Sequence, residues 1–221
     1  MKSLRILAVM AHPDDAEVWA GGTIRKALRN GGEGHVAVLT YGPDETRGKE
    51  AQEGAKRLGC GIDLFGYRDK NLRDTGEAAD ALVELMAGLS PRVIIVHNPD
   101  DTHPDHEASF LIARRALIHW YDSPRRPEVI PSIFACNSYR GLGLRGPLEL
   151  DTFVDITSVW EDKIQALLAH RSQQPQRWIQ RLELFCRAMG ARTGIEMAEG
   201  FRRLVMFNET GAVRHLDPEL W

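Results

Sequence analysis

The chain has only three cysteines in 221 residues, Cys60, Cys136 and Cys186. Their odd number and wide spacing fit neither a disulfide framework nor a C-x-x-C zinc site. Three thiols packed as small hydrophobes in a reduced cytoplasm are expected instead. No apolar stretch approaches the roughly 20 residues that span a bilayer. The opening MKSLRILAVMAHPDD is superficially like an export signal. Its apolar core covers only residues 6–11 and two acids follow at once, so it reads as a strand. Positive charge is not in excess. With 28 Lys and Arg against 31 Asp and Glu the net charge is −3, which argues against a nucleic-acid partner and against polybasic membrane attachment. No G-x-G-x-x-G follows a strand, so Gly21 and Gly22 read as close helix packing rather than a phosphate cradle. Repeats and low-complexity segments are also missing. What remains, 43% apolar and 27% charged residues, suits one globular domain over residues 1–221. Its core is expected at about 1–120, with a smaller C-terminal elaboration at about 121–221.

Strand-like and helix-like segments alternate along that core. Strands are expected at 4–11, 35–41, 62–67 and 92–98, and helices at 16–29, 47–58, 78–89 and about 105–119. Beyond a proline-rich loop at 121–131 the pattern weakens. Short strands are expected at 133–135, 153–156 and 203–207, and helices at 159–170 and about 177–189. Four strand–helix repeats predict a Rossmann-like, doubly wound α/β fold with a mostly parallel sheet of order 3-2-1-4. In that order the winding reverses between strands one and four, and a ligand crevice opens at their carboxyl ends.

Two clusters of chemistry-bearing residues fall at those two ends. AHPDD follows strand one and NPDDTHPDHEA follows strand four. His12 and Asp15 stand three apart, as do His103 and His106, so each motif can aim two polar groups at one point across a helix start. Pro13 and Pro104 suit a first helical turn. His12, Asp15 and His106 make two imidazoles and one carboxylate. That is the protein ligand count of a catalytic zinc site with a fourth position left for water, and it also suits Fe2+. Asp14 stands ready as a general base, and His103 as a donor to an oxyanion or a leaving amine. The combination suits hydrolysis of an amide.

AHPDDAE and HPDHEA resemble the two signature motifs of the LmbE-like, or PIG-L, family of zinc-dependent N-deacetylases. TRGKEAQEGAKRLG, GYRDKNL, VDITSVWEDKIQALLAHRSQ and AEGFR are similar to further family motifs. The resemblance implies removal of an acetyl group from an N-acetylglucosamine-type substrate. It implies metal ligation by His12, Asp15 and His106, base catalysis by Asp14, and stabilisation of the tetrahedral intermediate by His103 with Asp105 as its hydrogen-bond partner. It further implies that Arg47 holds substrate hydroxyls, that Asp69 borders the same pocket, and that the protein is a cytoplasmic homo-oligomer, a trimer or hexamer. Where relatives carry Gly-Glu after strand two this chain has GPDET, and YDSPRRPEVIP is idiosyncratic and expected to cover one wall of the site. The competing readings are a metal-dependent esterase or phosphoesterase and a non-catalytic sugar- or nucleotide-binding module.

Overall fold

The computed structural model describes residues 4–206. In chain order the elements are β1 (Arg5–Met10), α1 (Asp15–Trp19), α2 (Gly21–Arg29), β2 (Glu33–Thr40), α3 (Thr46–Leu58), β3 (Gly61–Tyr67), α4 (Gly76–Leu89) and β4 (Val93–Val96). There follow α5 (Pro104–Asp122), β5 (Ser132–Cys136), a short hairpin of β6 (Leu142–Gly143) and β7 (Gly146–Pro147), β8 (Thr152–Asp155), α6 (Trp160–Leu167), α7 (Ile179–Ala191) and β9 (Ala198–Leu204). The main sheet runs β3-β2-β1-β4-β5-β9-β8, so the predicted 3-2-1-4 order holds. All pairs through β5 are parallel, and β9 and β8 add two antiparallel pairings.

The apolar run of β1 follows from burial on both faces. Ile6, Ala8 and Met10 pack with Ile24, Val38 and Phe134 on one side. Leu7, Val9 and Ala11 pack with Leu82, Met86 and Ile112 on the other. The three cysteines are free, Cys136 and Cys186 buried and Cys60 partly so. Burial pushes the Cys60 thiol up to about 12 and that of Cys186 to about 11, which keeps both protonated and inert. Among the described residues no helix is long and apolar enough to cross a membrane.

Three expectations are corrected. The helix predicted at 16–29 is two helices, broken at Ala20 (φ −141°, ψ 3°). The break is held by a residue far away in sequence. The Glu199 carboxylate accepts from Gly22 N and Thr23 N, each at 2.8 Å, and from the Thr23 hydroxyl at 2.6 Å, capping α2 from β9. Gly22 sits where a Cβ would strike the Ile156 side chain, so the expected close packing is found at Gly22, while a Cβ at Gly21 would meet only ordinary contacts. The last strand lies at 198–204 rather than 203–207, because its register is set by pairing with both β5 and β8. Residue 207 and His215 lie outside the described residues. Finally, YDSPRRPEVIP covers no wall of the site. Because β5 runs parallel to β4, the segment that enters it crosses the amino ends of the strands. There Ser132 N donates to Arg92 O (2.9 Å), and Arg125 and Arg126 border a cleft with Arg5 and Arg92.

Candidate metal centre and active site

The β1/β4 neighbourhood brings the two clusters together. His12 lies just beyond β1, Asp15 opens α1, and His106 sits in the first turn of α5 behind its capping residue His103. His12 Nδ1 is 3.1 Å from Asp15 Oδ2 and 3.2 Å from His106 Nε2, and those last two are 3.4 Å apart. Donors about 2.0–2.1 Å from a tetrahedral ion stand about 3.3–3.4 Å from one another. The triangle therefore has the dimensions of three corners of such a site. All three residues are buried, at 7%, 2% and 0% exposure.

The charges also call for a cation. Burial opposes the charge of Asp15, yet His106 and His97 hold its carboxyl well below the usual range. Burial likewise opposes a charge on His106, yet Asp15 and Asp101 raise it to about 10. The carboxylates thus stabilise positive charge at the point where the His106 and His12 ring nitrogens face each other. A divalent ion meets that demand for all three groups at once, so the donor set fits one. Other groupings converge nearby, namely the buried Asp15/His97/His106 and the partly buried His12/His103/His106 and His12/Asp69/Asp105. Two of their remaining members also hold backbone groups. His97 Nε2 accepts from Ala11 N at 3.0 Å, while Asp105 accepts from Lys70 N at 2.6 Å and Leu72 N at 3.2 Å.

The outer ring of partners is only partly as expected. Asp105 is not the carboxylate partner of His103. Its backbone N–H donates to His103 Nδ1 at 3.2 Å as part of the helix cap, and its carboxylate lies 3.4 Å from His12 Nε2. The geometry of a helix start turns the Asp105 side chain toward the strand-three loop rather than back to residue 103. Asp69 does border the site, 3.3 Å from His12 Nε2, and accepts from the Tyr41 hydroxyl at 2.6 Å. Asp101, which sequence reasoning passed over, lies 3.0 Å from His106 Nδ1 and accepts from His103 N at 2.9 Å. His97 was also missed. Fully buried, it stacks on His106 with ring centroids 3.8 Å apart, and burial together with His106 lowers it to about 4. The available signal was its place at the end of the most β-branched strand.

Asp14 and Arg47 meet in an ion pair, Arg47 donating to Asp14 Oδ1 at 2.7 Å. Arg47 thus reaches the candidate base directly and lies over the Tyr41 ring at 4.8 Å. The His103 ring lies 4.8 Å from that of His12 and 4.7 Å from that of His106. Burial, with the nearby His106 and His12, lowers its pKa.

Residues 7–117 match the family described as PIG-L, GlcNAc-PI de-N-acetylase. The chain belongs to the PIG-L family. A diacetylchitobiose deacetylase from Thermococcus kodakarensis is 27% identical over 220 residues, covering 90% of this chain and 82% of that protein. A 4-oxalmesaconate hydratase from Pseudomonas putida is 25% identical over 191 residues, covering 76% and 73%. The crystal structure of a conserved protein from Thermus thermophilus superposes with a TM-score of 0.79 at 27% identity, covering 94% of this chain and 96% of that one.

Proposed function

We propose that this PIG-L protein is a metal-dependent hydrolase that removes the acetyl group from an N-acetyl amino sugar of the N-acetylglucosaminide type, releasing acetate and a free amine. The observation that carries the reading is the donor triangle of His12, Asp15 and His106 with the Asp14 carboxylate beside it. We assign those three as ligands of Zn2+, with Fe2+ as the other ion the set suits. A bound zinc ion supplies Lewis-acid polarisation of a carbonyl and lowers the pKa of water to about 7.

The chain's own groups handle the protons. Arg47 fixes Asp14 through Oδ1, which leaves Oδ2 to take a proton from the attacking water. His103 Nδ1 accepts from the Asp105 N–H, so in the neutral ring the proton sits on Nε2. From there it can donate to the developing oxyanion. Water oxygen bonds to the acetyl carbon, the C–N bond breaks, and the proton held by Asp14 passes to the departing nitrogen. Asp69 and the Tyr41 hydroxyl form the polar wall that would meet sugar hydroxyls, and Asp105 keeps the His12 ring in place.

The test is acetate release across a panel of N-acetylglucosaminides, with metal content measured alongside. Asp14→Ala should keep its metal and lose about 10²–10⁴-fold in kcat. Near-full activity of that variant would refute the role given to Asp14. His12→Ala and His106→Ala should instead lose the metal. The hydratase relative supports a second reading, addition of water to a carbon–carbon double bond of an unsaturated oxo acid. Loss of the substrate's ultraviolet absorbance without acetate release would favour it.

A further inference from the structure

The cleft that opens beside Asp14 is lined mostly by apolar and aromatic side chains. Its volume is about 770 Å³, toward the upper end of small-molecule sites. Arg47, Tyr41 and Asp69 adjoin it without lining it: Arg47 donates to Asp14, at the cleft's edge, and to the Tyr41 hydroxyl, which donates to Asp69. Its apolar walls are Val18, Trp19, Tyr139, Leu142, Trp178 and Phe185, with Thr102 and Gln173 among them as neutral polar groups. Trp19 forms the floor, edge-on to Tyr139 at 5.2 Å and to Phe185 at 6.4 Å. Trp178, Leu182 and Phe185 fall at helical spacing, so one face of the α7 segment is turned to this wall. Tyr139 and Leu142 remain 54% and 43% exposed, so this wall is open to an apolar occupant.

Two cations rim the same wall. Arg140 and Arg181 line the cleft, and among the described residues neither has an acidic partner. Arg140 is held in the left-handed region (φ 63°), a conformation that a bulky residue rarely keeps without local support.

We propose that this cleft is an aglycone subsite beside the catalytic groups, and that the substrate is an N-acetyl amino sugar carrying an apolar aglycone that ends in an anionic group. The sugar ring meets the polar wall, the apolar body of the aglycone lies on Trp19, Trp178 and Phe185, and its anion meets Arg140 and Arg181. This rests on the deacetylase reading above. Continuity with Asp14 sets the occupant next to the reacting sugar, and the two unpaired guanidiniums select one that ends in an anion over a second, neutral sugar.

The experiment compares three glycosides of N-acetylglucosamine, with methyl, octyl and 7-carboxyheptyl aglycones. Acetate release by the holoenzyme is followed below the micelle concentration. The expected order of kcat/KM is carboxyheptyl over octyl over methyl, with about tenfold or more at the step from methyl to octyl, carried mainly by KM. Phe185→Ala should shrink the octyl-to-methyl ratio. Arg140→Gln with Arg181→Gln should erase the carboxyheptyl-to-octyl ratio while keeping the apolar one. Ratios within each variant cancel any general loss of folded enzyme. Equal turnover of methyl and octyl glycosides, or no gain from the carboxylate, overturns the subsite and leaves the deacetylase reading standing. Acetate from none of the three overturns that reading itself.

Discussion

At the scale of single residues, the site is a set of ring nitrogens whose two ends are both committed. His106 presents Nε2 to the triangle because Nδ1 is held by Asp101, and His12 presents Nδ1 because Nε2 faces Asp69 and Asp105. Such outer carboxylates typically account for 10–100-fold in metal affinity. Asp101→Asn should therefore weaken zinc binding by about that factor in a competition assay with a chromogenic chelator. An unchanged affinity would show that His106 needs no such anchor. A second buried pair lies behind α1. Glu17 and His170 are 3.4 Å apart and almost fully buried, and neither His170 ring nitrogen has a well-formed hydrogen bond. Gly54 leaves the space they share, since a methyl there would collide with both. Burial alone would lower His170, yet Glu17 outweighs it and the pKa is raised above 6.5. A group raised in the folded state stabilises fully below its unfolded pKa and stops doing so as pH climbs through the folded value. The stability deficit of His170→Gln relative to the parent should thus be largest near about pH 6 and narrow toward about pH 9. Paired urea melts at the two pH values would show it, and a gap that widens with pH would contradict the assignment.

Among the elements, α1 depends most on contacts from afar. It has five residues, no side-chain cap, and Asp14 and Asp15 at its start. Its carbonyl at Val18 accepts from Lys163 Nζ of α6 at 2.8 Å, and Lys163 pairs with Glu199, which caps α2. Lys163 is 0% and Glu199 4% exposed. Removing one member of such a pair leaves a buried charge and costs about 3–5 kcal/mol. Glu199→Gln should show a loss of that order in chemical denaturation, and adding Lys163→Met should recover part of it. A loss below about 1 kcal/mol would mean that water reaches the pair. This stitching explains where sequence reading stopped. The 3-2-1-4 order was legible because each βα unit declares itself within about thirty residues, through β-branched runs such as VIIV and stops such as Gly59 in the left-handed region (φ 86°). The break at Ala20 was not, because its cause lies on β9. The late strand was misplaced for a related reason: its buried glutamate disguises it as polar. That His12, Asp15 and His106 converge was legible from short spacings plus topology. The role of His97 was not, since it depends on a backbone N–H 86 positions away.

At the scale of the whole molecule, the sheet separates two edges. The carboxyl edge holds the triangle and the cleft beside it. The amino edge holds the 121–131 segment and its arginines. The triangle joins residues that follow β1 to one that follows β4, so an ion there ties together two units 94 positions apart. An ion that binds only the folded chain stabilises it by RT ln(1 + [L]/Kd), about 2.7 kcal/mol at a hundredfold excess over Kd. In a chain of this size each kcal/mol moves Tm by about 2–4 °C. Restoring zinc to chelator-treated protein should therefore raise Tm by about 5–11 °C. Asp15→Asn should abolish most of that shift. Arg125→Ala, which breaks only the exposed pair with Glu84 on the opposite edge, should leave the shift at the parent value. Differential scanning calorimetry of the three proteins, each with and without zinc, separates an ion at the triangle from one bound anywhere else. A zinc shift that survives in Asp15→Asn would move the metal away from the proposed centre and take the hydrolytic mechanism with it.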